Sequence, residues 1–242
     1  MGNRLIEVPD EIRNLRLVAS RKDDFSFFED AKEWTKVVTD SGTVAAGDAD
    51  GGLLILTPSD GSVADNDEAY VKSTNKIATI KANQNIYAEA WLQFAEAATN
   101  AANAFFGWCS SIAANTLVDD GAGMLTNFSG ACIYKVDGSL NWKCISSNGT
   151  TQTINTSTTV AGGTGYQLLE IQIDPIDSTT ARISFWVNGT QLVDSTTGKP
   201  ITHLYTYTSA VAMNLGAGVK NGSANQQVLN IDAIGWSIGR VN

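Results

Sequence analysis

The sequence predicts an all-β protein, a two-sheet antiparallel β-sandwich or jelly roll behind a charged N-terminal arm. Three observations carry this. From Phe27 onward, short strand-like runs alternate with turn clusters rich in Gly, Asn, Asp and Ser. The composition, 43% hydrophobic and 17% charged with 4 prolines in 242 residues, suits a packed β protein and not a disordered chain. No long amphipathic helix and no fixed-period repeat is visible, which argues against helical bundles, propellers and solenoids.

The opening differs from the rest. The first 36 residues hold seven basic and eight acidic side chains, including four of the six arginines, against nine basic and seventeen acidic in the remainder. That contrast divides the chain into a charged arm, 1–36, and a sandwich domain, 37–242. Within the arm, Ile12, Leu15 and Leu17 follow a loose helical spacing from Pro9 to Val18; a solvated tail or a first strand fits equally. The strand series then begins with GGLLILTPS, stopped by Pro58 and the turn Ser59-Asp60-Gly61, and continues through AYVKSTNKIATIKANQ. In NIYAEAWLQFAE, the residues Ile86, Ala88, Ala90, Leu92 and Phe94 share one face of a half-buried strand. EAATNAANA is alanine-rich but short and uncapped, so it reads as a connection.

AFFGWCSSI follows, and then ACIYKVDGSLNWKCI, which reads as a hairpin. A three-residue loop, Asp137-Gly138-Ser139, lines Cys132, Tyr134, Val136, Leu140, Trp142 and Cys144 along one face and sets Cys132 opposite Cys144. A two-residue Asp137-Gly138 turn suits the turn chemistry better but sorts the faces less cleanly. Buried thiols are the common state of such a pair, and whether Cys132 and Cys144 join is left open. After a Thr/Ser/Asn/Gly spacer over 146–165 come YQLLEIQIDP and ARISFWVNGTQLV. In the latter, Ile183, Phe185 and Val187 alternate into a type I′ turn at Asn188-Gly189. YTSAVAMNLGAGV and QVLNIDAIGWSI close the series.

A formal charge of −9 and a pI near 4.5 disfavour nucleic acid as a partner. No secretory h-region and no apolar stretch of membrane-spanning length occurs, and three cysteines without metal-type spacing suit a reducing cytoplasm, so no membrane association is expected.

The reactive side chains are sparse. His203 is the sole histidine, with no cysteine near it in sequence, and is expected at a loop or strand end without a catalytic role. The acidic turns carrying Asp48 and Asp50, and Asp65 and Asp67, are weak candidates for calcium, since neither has the full spacing of a calcium loop. Glycines 162, 163 and 165 lead into a strand and not a helix, so they build no phosphate cradle. Glu89 and Glu96 are seven residues apart, which directs them to opposite sheet faces as ordinary surface carboxylates. The six tryptophans, Trp142, Trp91, Trp186 and Trp236 among them, read as core.

The order YQLLEIQID, ARISFWVNGTQLV, LNIDAIGWSI resembles the second half of concanavalin A-like jelly rolls, laminin-G-type domains in particular, over about Gly51 to Arg240. The E-x-D-x-x-E strand of laminarinase-type hydrolases on that fold is missing, so no enzyme is expected. The layout is also similar to tailed-phage virion proteins, in the segment Asp65 to Val71, the strand Phe105 to Trp108 and the terminal Arg240. That resemblance implies a capsid decoration or cement protein on the virion surface, a homo-oligomer (trimer or dimer) bound to the major capsid protein, made in the host cytoplasm. Arg4, Arg13, Arg16 and Arg21 of the arm are the expected capsid contacts. The alternative is a lectin or laminin-G-like carbohydrate-binding module, with or without calcium.

Overall fold

A computed structural model describes residues 18–59, 61–96, 101–156 and 158–239. In chain order the strands are β1 (Val18–Asp23), β2 (Trp34–Val38), β3 (Thr43–Ala46), β4 (Leu54–Thr57), β5 (Glu68–Ser73), β6 (Ala78–Thr79), β7 (Ile86–Glu96) and β8 (Ala102–Cys109). A small hairpin, β9 (Leu117–Val118) and β10 (Gly123–Met124), precedes β11 (Ser129–Lys135), β12 (Lys143–Asn148) and β13 (Gln152–Asn155). The last six are β14 (Gln167–Pro175), β15 (Thr180–Val187), β16 (Thr190–Gln191), β17 (Thr202–Thr206), β18 (Ala212–Asn221) and β19 (Gln227–Gly239).

They form two antiparallel sheets. A nine-stranded sheet runs β16-β15-β14-β7-β19-β4-β3, with β1 on β19 and β17 on β15; an eight-stranded sheet runs β13-β12-β11-β8-β18-β5-β2, with β6 on β18. Period-2 alternation explains why these segments pair so. Leu169, Ile171 and Ile173 of β14, Ile183, Phe185 and Val187 of β15, and Met213, Leu215, Ala217 and Val219 of β18 all point into one shared core between the sheets. The hairpin at Asn188-Gly189 is as predicted: φ is 53° and 71°, and Val187 pairs with Thr190.

The eight-stranded sheet is covered on its other face too. The segment 110–128 lies across it, and its Ile112, Leu117, Met124 and Phe128 join Tyr70, Phe105, Cys109, Cys132, Tyr134, Val136 and Ile145 in a second apolar cluster. Glycines on the sheet make the room: a Cβ on Gly216 would stand 2.6 Å from Cδ1 of Ile112 and 2.5 Å from the Val71 carbonyl. Polar bonds fasten the segment. Lys72 Nζ donates to the Ile112 carbonyl (2.8 Å), Asn115 N–H donates to both oxygens of Glu68 (2.9 and 3.1 Å), and Lys220 Nζ donates to Asn115 Oδ1 (2.7 Å), to the Leu117 carbonyl (3.1 Å) and to Asp119. Glu68 also accepts from Tyr70 Oη and lies 3.3 Å from Lys220 Nζ. Both charges of that pair are removed from water, so each depends on these partners.

Two expectations are corrected here. The hairpin register is Cys132 to Ile145 and Ile133 to Cys144, one residue away from the predicted one, so Cys132 and Cys144 face opposite sides of the sheet. Both faces of β11 are buried, and alternation cannot select a register when neither face meets water. All three cysteines are free; the neighbour of Cys132 is Cys109, with the sulfurs 3.2 Å apart. The second correction concerns the arm. β1 pairs along β19, and Phe25 and Trp34 are in the main core, so the sandwich takes in residues 18–36, assigned on charge density to the arm. The charges of that stretch sit at the sheet edge and in its turns, where Asp23 accepts from Trp34 Nε1 at 2.8 Å.

Candidate ligand-binding face

Among the described residues, nothing covers the outer face of the nine-stranded sheet over β7 and β14. On β7 the inward residues are those expected, which turns Tyr87, Glu89 and Trp91 outward. The adjacent β14 presents Leu168, Glu170 and Gln172 on the same face, in register with Trp91, Glu89 and Tyr87. Trp186 of β15 lies opposite Glu170 on its other side. Two carboxylates from different strands therefore stand side by side.

Their surroundings fix them. Tyr87 Oη is 3.0 Å from Glu89 Oε2 and 2.8 Å from Glu170 Oε1, and Gly189 N–H in the hairpin turn donates to Glu170 Oε2 at 3.0 Å. Burial, joined by the Glu170 carboxylate, holds the Tyr87 hydroxyl protonated well above the ordinary tyrosine range. Gly235 of β19, opposite Glu89, leaves space for that side chain, since a Cβ there would lie 2.9 Å from Glu89 Oε1. Lys22 Nζ, on β1, is 3.9 Å from Glu89.

An aromatic surface adjoins the acids. Trp91 is 37% exposed, and its ring lies parallel to that of Tyr166, 8° between planes and 6.2 Å between centroids. At a contact separation of about 3.5 Å such rings are offset by roughly 5 Å, so each leaves most of its face uncovered by the other. At the opposite end, beyond Tyr87, a depression of about 460 Å³ is lined by Val18, Asn83, Asn85, Ile86, Tyr87, Gln172, Ser237 and Gly239. The face thus offers flat apolar rings, acceptor oxygens and an amide-lined hollow in one row.

Among the described residues, those singled out from the sequence do not converge. Arg4, Arg13 and Arg16 lie outside the described residues; Arg21 is in β1, paired with Glu33 and 3.5 Å from Asp23. Asp48 and Asp50 are exposed in the turn between β3 and β4. Asp65 is exposed, whereas its neighbour Asp67 turns inward to Ser59 Oγ and the Ala64 N–H. Among the described residues no group of three His, Cys, Asp or Glu side chains is placed to hold a metal. Glu96 is no ordinary surface group: it binds the buried Lys135 ammonium at 2.6 Å, at the far end of β7 from Glu89. His203 is the second residue of β17, near that strand's start; it is buried, with Nε2 2.7 Å from Asn155 Oδ1 and Nδ1 2.9 Å from Ser146 Oγ. Trp34, Trp108 and Trp142 are core as expected and Trp236 packs against it, but Trp91 and Trp186 face outward.

No protein-family model matches the chain, and no curated protein sequence matches it. Solved structures do. The chain is similar to the Emp47p carbohydrate recognition domain at 10% identity and a TM-score of 0.59, covering 93% of this chain and 99% of that one. It is similar to peanut lectin at 11% and 0.53, covering 93% and 99%, and to an endo-1,3-beta-glucanase from Streptomyces sioyaensis at 11% and 0.58, covering 93% and 98%. At such identities the likeness establishes the fold, a concanavalin A-like jelly roll. The resemblance to tailed-phage proteins finds no support among these structures. Two of its three segments have structural explanations instead: Phe106 and Trp108 are core, and Asp67 and Glu68 belong to buried polar networks.

Proposed function

We propose that this protein is a carbohydrate-recognition domain that binds its ligand without turnover through the outer face of the nine-stranded sheet. The observation that carries this is the parallel pair of the exposed Trp91 and the half-buried Tyr166 beside the outward carboxylates Glu89 and Glu170. Aromatic faces pack on the apolar side of a pyranose, and paired acceptors receive its hydroxyls. The shared fold of the lectins named above is consistent with this reading. A glycan array with and without calcium, probed with the wild type and with Trp91→Ala, tests it. Binding that falls about tenfold or more in the variant is expected, the loss of roughly 1.4 kcal/mol. No retained glycan, or retention indifferent to Trp91, overturns it.

A virion structural role, as a capsid decoration protein of a tailed phage, is the second reading. Ile154 and Leu204, 46% and 66% exposed, lie on β13 and β17, open edge strands at the same side of the two sheets, and a neighbour in an assembly would cover both. Mass spectrometry of purified virions tests it: copy numbers comparable to the shell protein favour it, and absence removes it.

A further inference from the structure

We infer that the ligand of this face is a neutral oligosaccharide chain lying along β7, and neither a single terminal sugar nor an acidic glycan; this rests on the carbohydrate reading above. Length comes first. Tyr87 and Trp91 are four residues apart on one strand, about 13 Å at the usual rise per residue, and the hollow lined by Asn83, Asn85, Gln172 and Ser237 extends the track beyond Tyr87. That distance exceeds any single pyranose ring. The hollow's 460 Å³ falls within the range of small-ligand sites, and its amides and hydroxyl both donate and accept, as a sugar does.

Charge comes second. The Tyr87 hydroxyl has one proton and two carboxylates within reach, so at any moment either Glu89 or Glu170 lacks that donor. A ligand hydroxyl satisfies the vacant acceptor. A uronate or other anionic sugar brings a third carboxylate to the same place and is repelled. The cations nearby do not reverse this: Lys22 is already directed at Glu89, and Arg182 lies opposite Asp174.

Isothermal titration calorimetry decides it, using gluco-, xylo-, manno- and galacto-oligosaccharides from the monosaccharide upward, with oligogalacturonates as the acidic series. Expected is an affinity that rises about tenfold or more with chain length for at least one neutral series. Asn85→Ala should weaken the long oligosaccharide and leave the shortest binder unchanged, since Asn85 is exposed and its backbone, not its side chain, bonds Gly239. Oligogalacturonates should bind about tenfold more weakly than neutral chains of equal length, with the gap narrowing in Glu170→Gln. A monosaccharide that binds as tightly as its oligomers, indifference to Asn85→Ala, or equal affinity for the acidic series overturns the inference while leaving carbohydrate binding intact. No heat with any sugar overturns the carbohydrate reading itself.

Discussion

Acid should loosen this sandwich at one identifiable joint. His203 is the only histidine. It sits on β17 of the nine-stranded sheet and bonds Ser146 and Asn155 of the eight-stranded one, so it ties the two layers together at their open edge. The amide oxygen of Asn155 assigns the ring proton to Nε2 and leaves Nδ1 to accept from Ser146, which is the neutral imidazole. Burial alone lowers its pKa from 6.5 to about 4. The unfolded chain therefore takes up a proton that the folded one refuses, and stability that is full above pH 6.5 is lost as the pH falls toward 4. Integrating between those values gives a loss of about 2 kcal/mol from pH 7 to pH 5, approaching about 3 kcal/mol at pH 4. Urea unfolding followed by tryptophan fluorescence measures it. His203→Gln is the control, because a glutamine amide offers the same donor and acceptor and does not titrate. Asp24, Asp177 and Asp194, whose carboxyls are held low chiefly by backbone N–H bonds, also withdraw stability in acid, but equally from both proteins. The difference between wild type and variant isolates the histidine. Equal pH slopes, or an NMR titration of the single imidazole with a midpoint near 6.5, would refute the argument.

Lys220 is fully buried between Glu68 and Asp119, so Lys220→Met should cost about 3–5 kcal/mol in urea unfolding, and Lys220→Met combined with Glu68→Gln should cost less than Lys220→Met alone, because the second change removes the stranded charge. A single-variant loss under about 1 kcal/mol would show that water reaches the pair. The thiols of Cys109, Cys132 and Cys144 are inaccessible, and burial pushes those of Cys132 and Cys144 up, so a disulfide reagent should modify none in the native protein and all three in denaturant. Rapid native labelling of Cys109 or Cys132 would place the covering segment 110–128 off the sheet.

The main sandwich was legible because its strands alternate. In β14, β15 and β7 one face is apolar and the other polar, and a period of two then names the inward residues without further help. Legibility failed where both faces are buried. β8 and β11 have no solvent side, since 110–128 lies over them, and the continuous apolar run AFFGWC carries no signal of register or of what covers it. The candidate face was half visible. Assigning Ile86, Ala88 and Ala90 inward already turns Tyr87, Glu89 and Trp91 outward, yet the aromatic content suggested core. Glu170 was harder: it meets Glu89 across a strand pair 81 positions apart in sequence, and a search for catalytic acids along one strand does not encounter it.

The two outer faces of this jelly roll differ in kind, and that difference bears on function. One carries Tyr70, Phe105, Cys132 and Tyr134, and without 110–128 it would expose an apolar surface with buried-type charges at its margin; the covering segment supplies the side chains and backbone bonds that make it stable. The other carries tyrosine, tryptophan and carboxylates that need no cover to be soluble, and the described residues leave it open. A ligand reaching the first face must displace an apolar cluster and separate Glu68 and Lys220 from their partners, whereas a ligand reaching the second displaces only water from Trp91 and supplies the donor that Glu89 and Glu170 share between them. If sugar binding survives Trp91→Ala and Glu170→Gln but vanishes when 110–128 is altered, the assignment of faces is reversed.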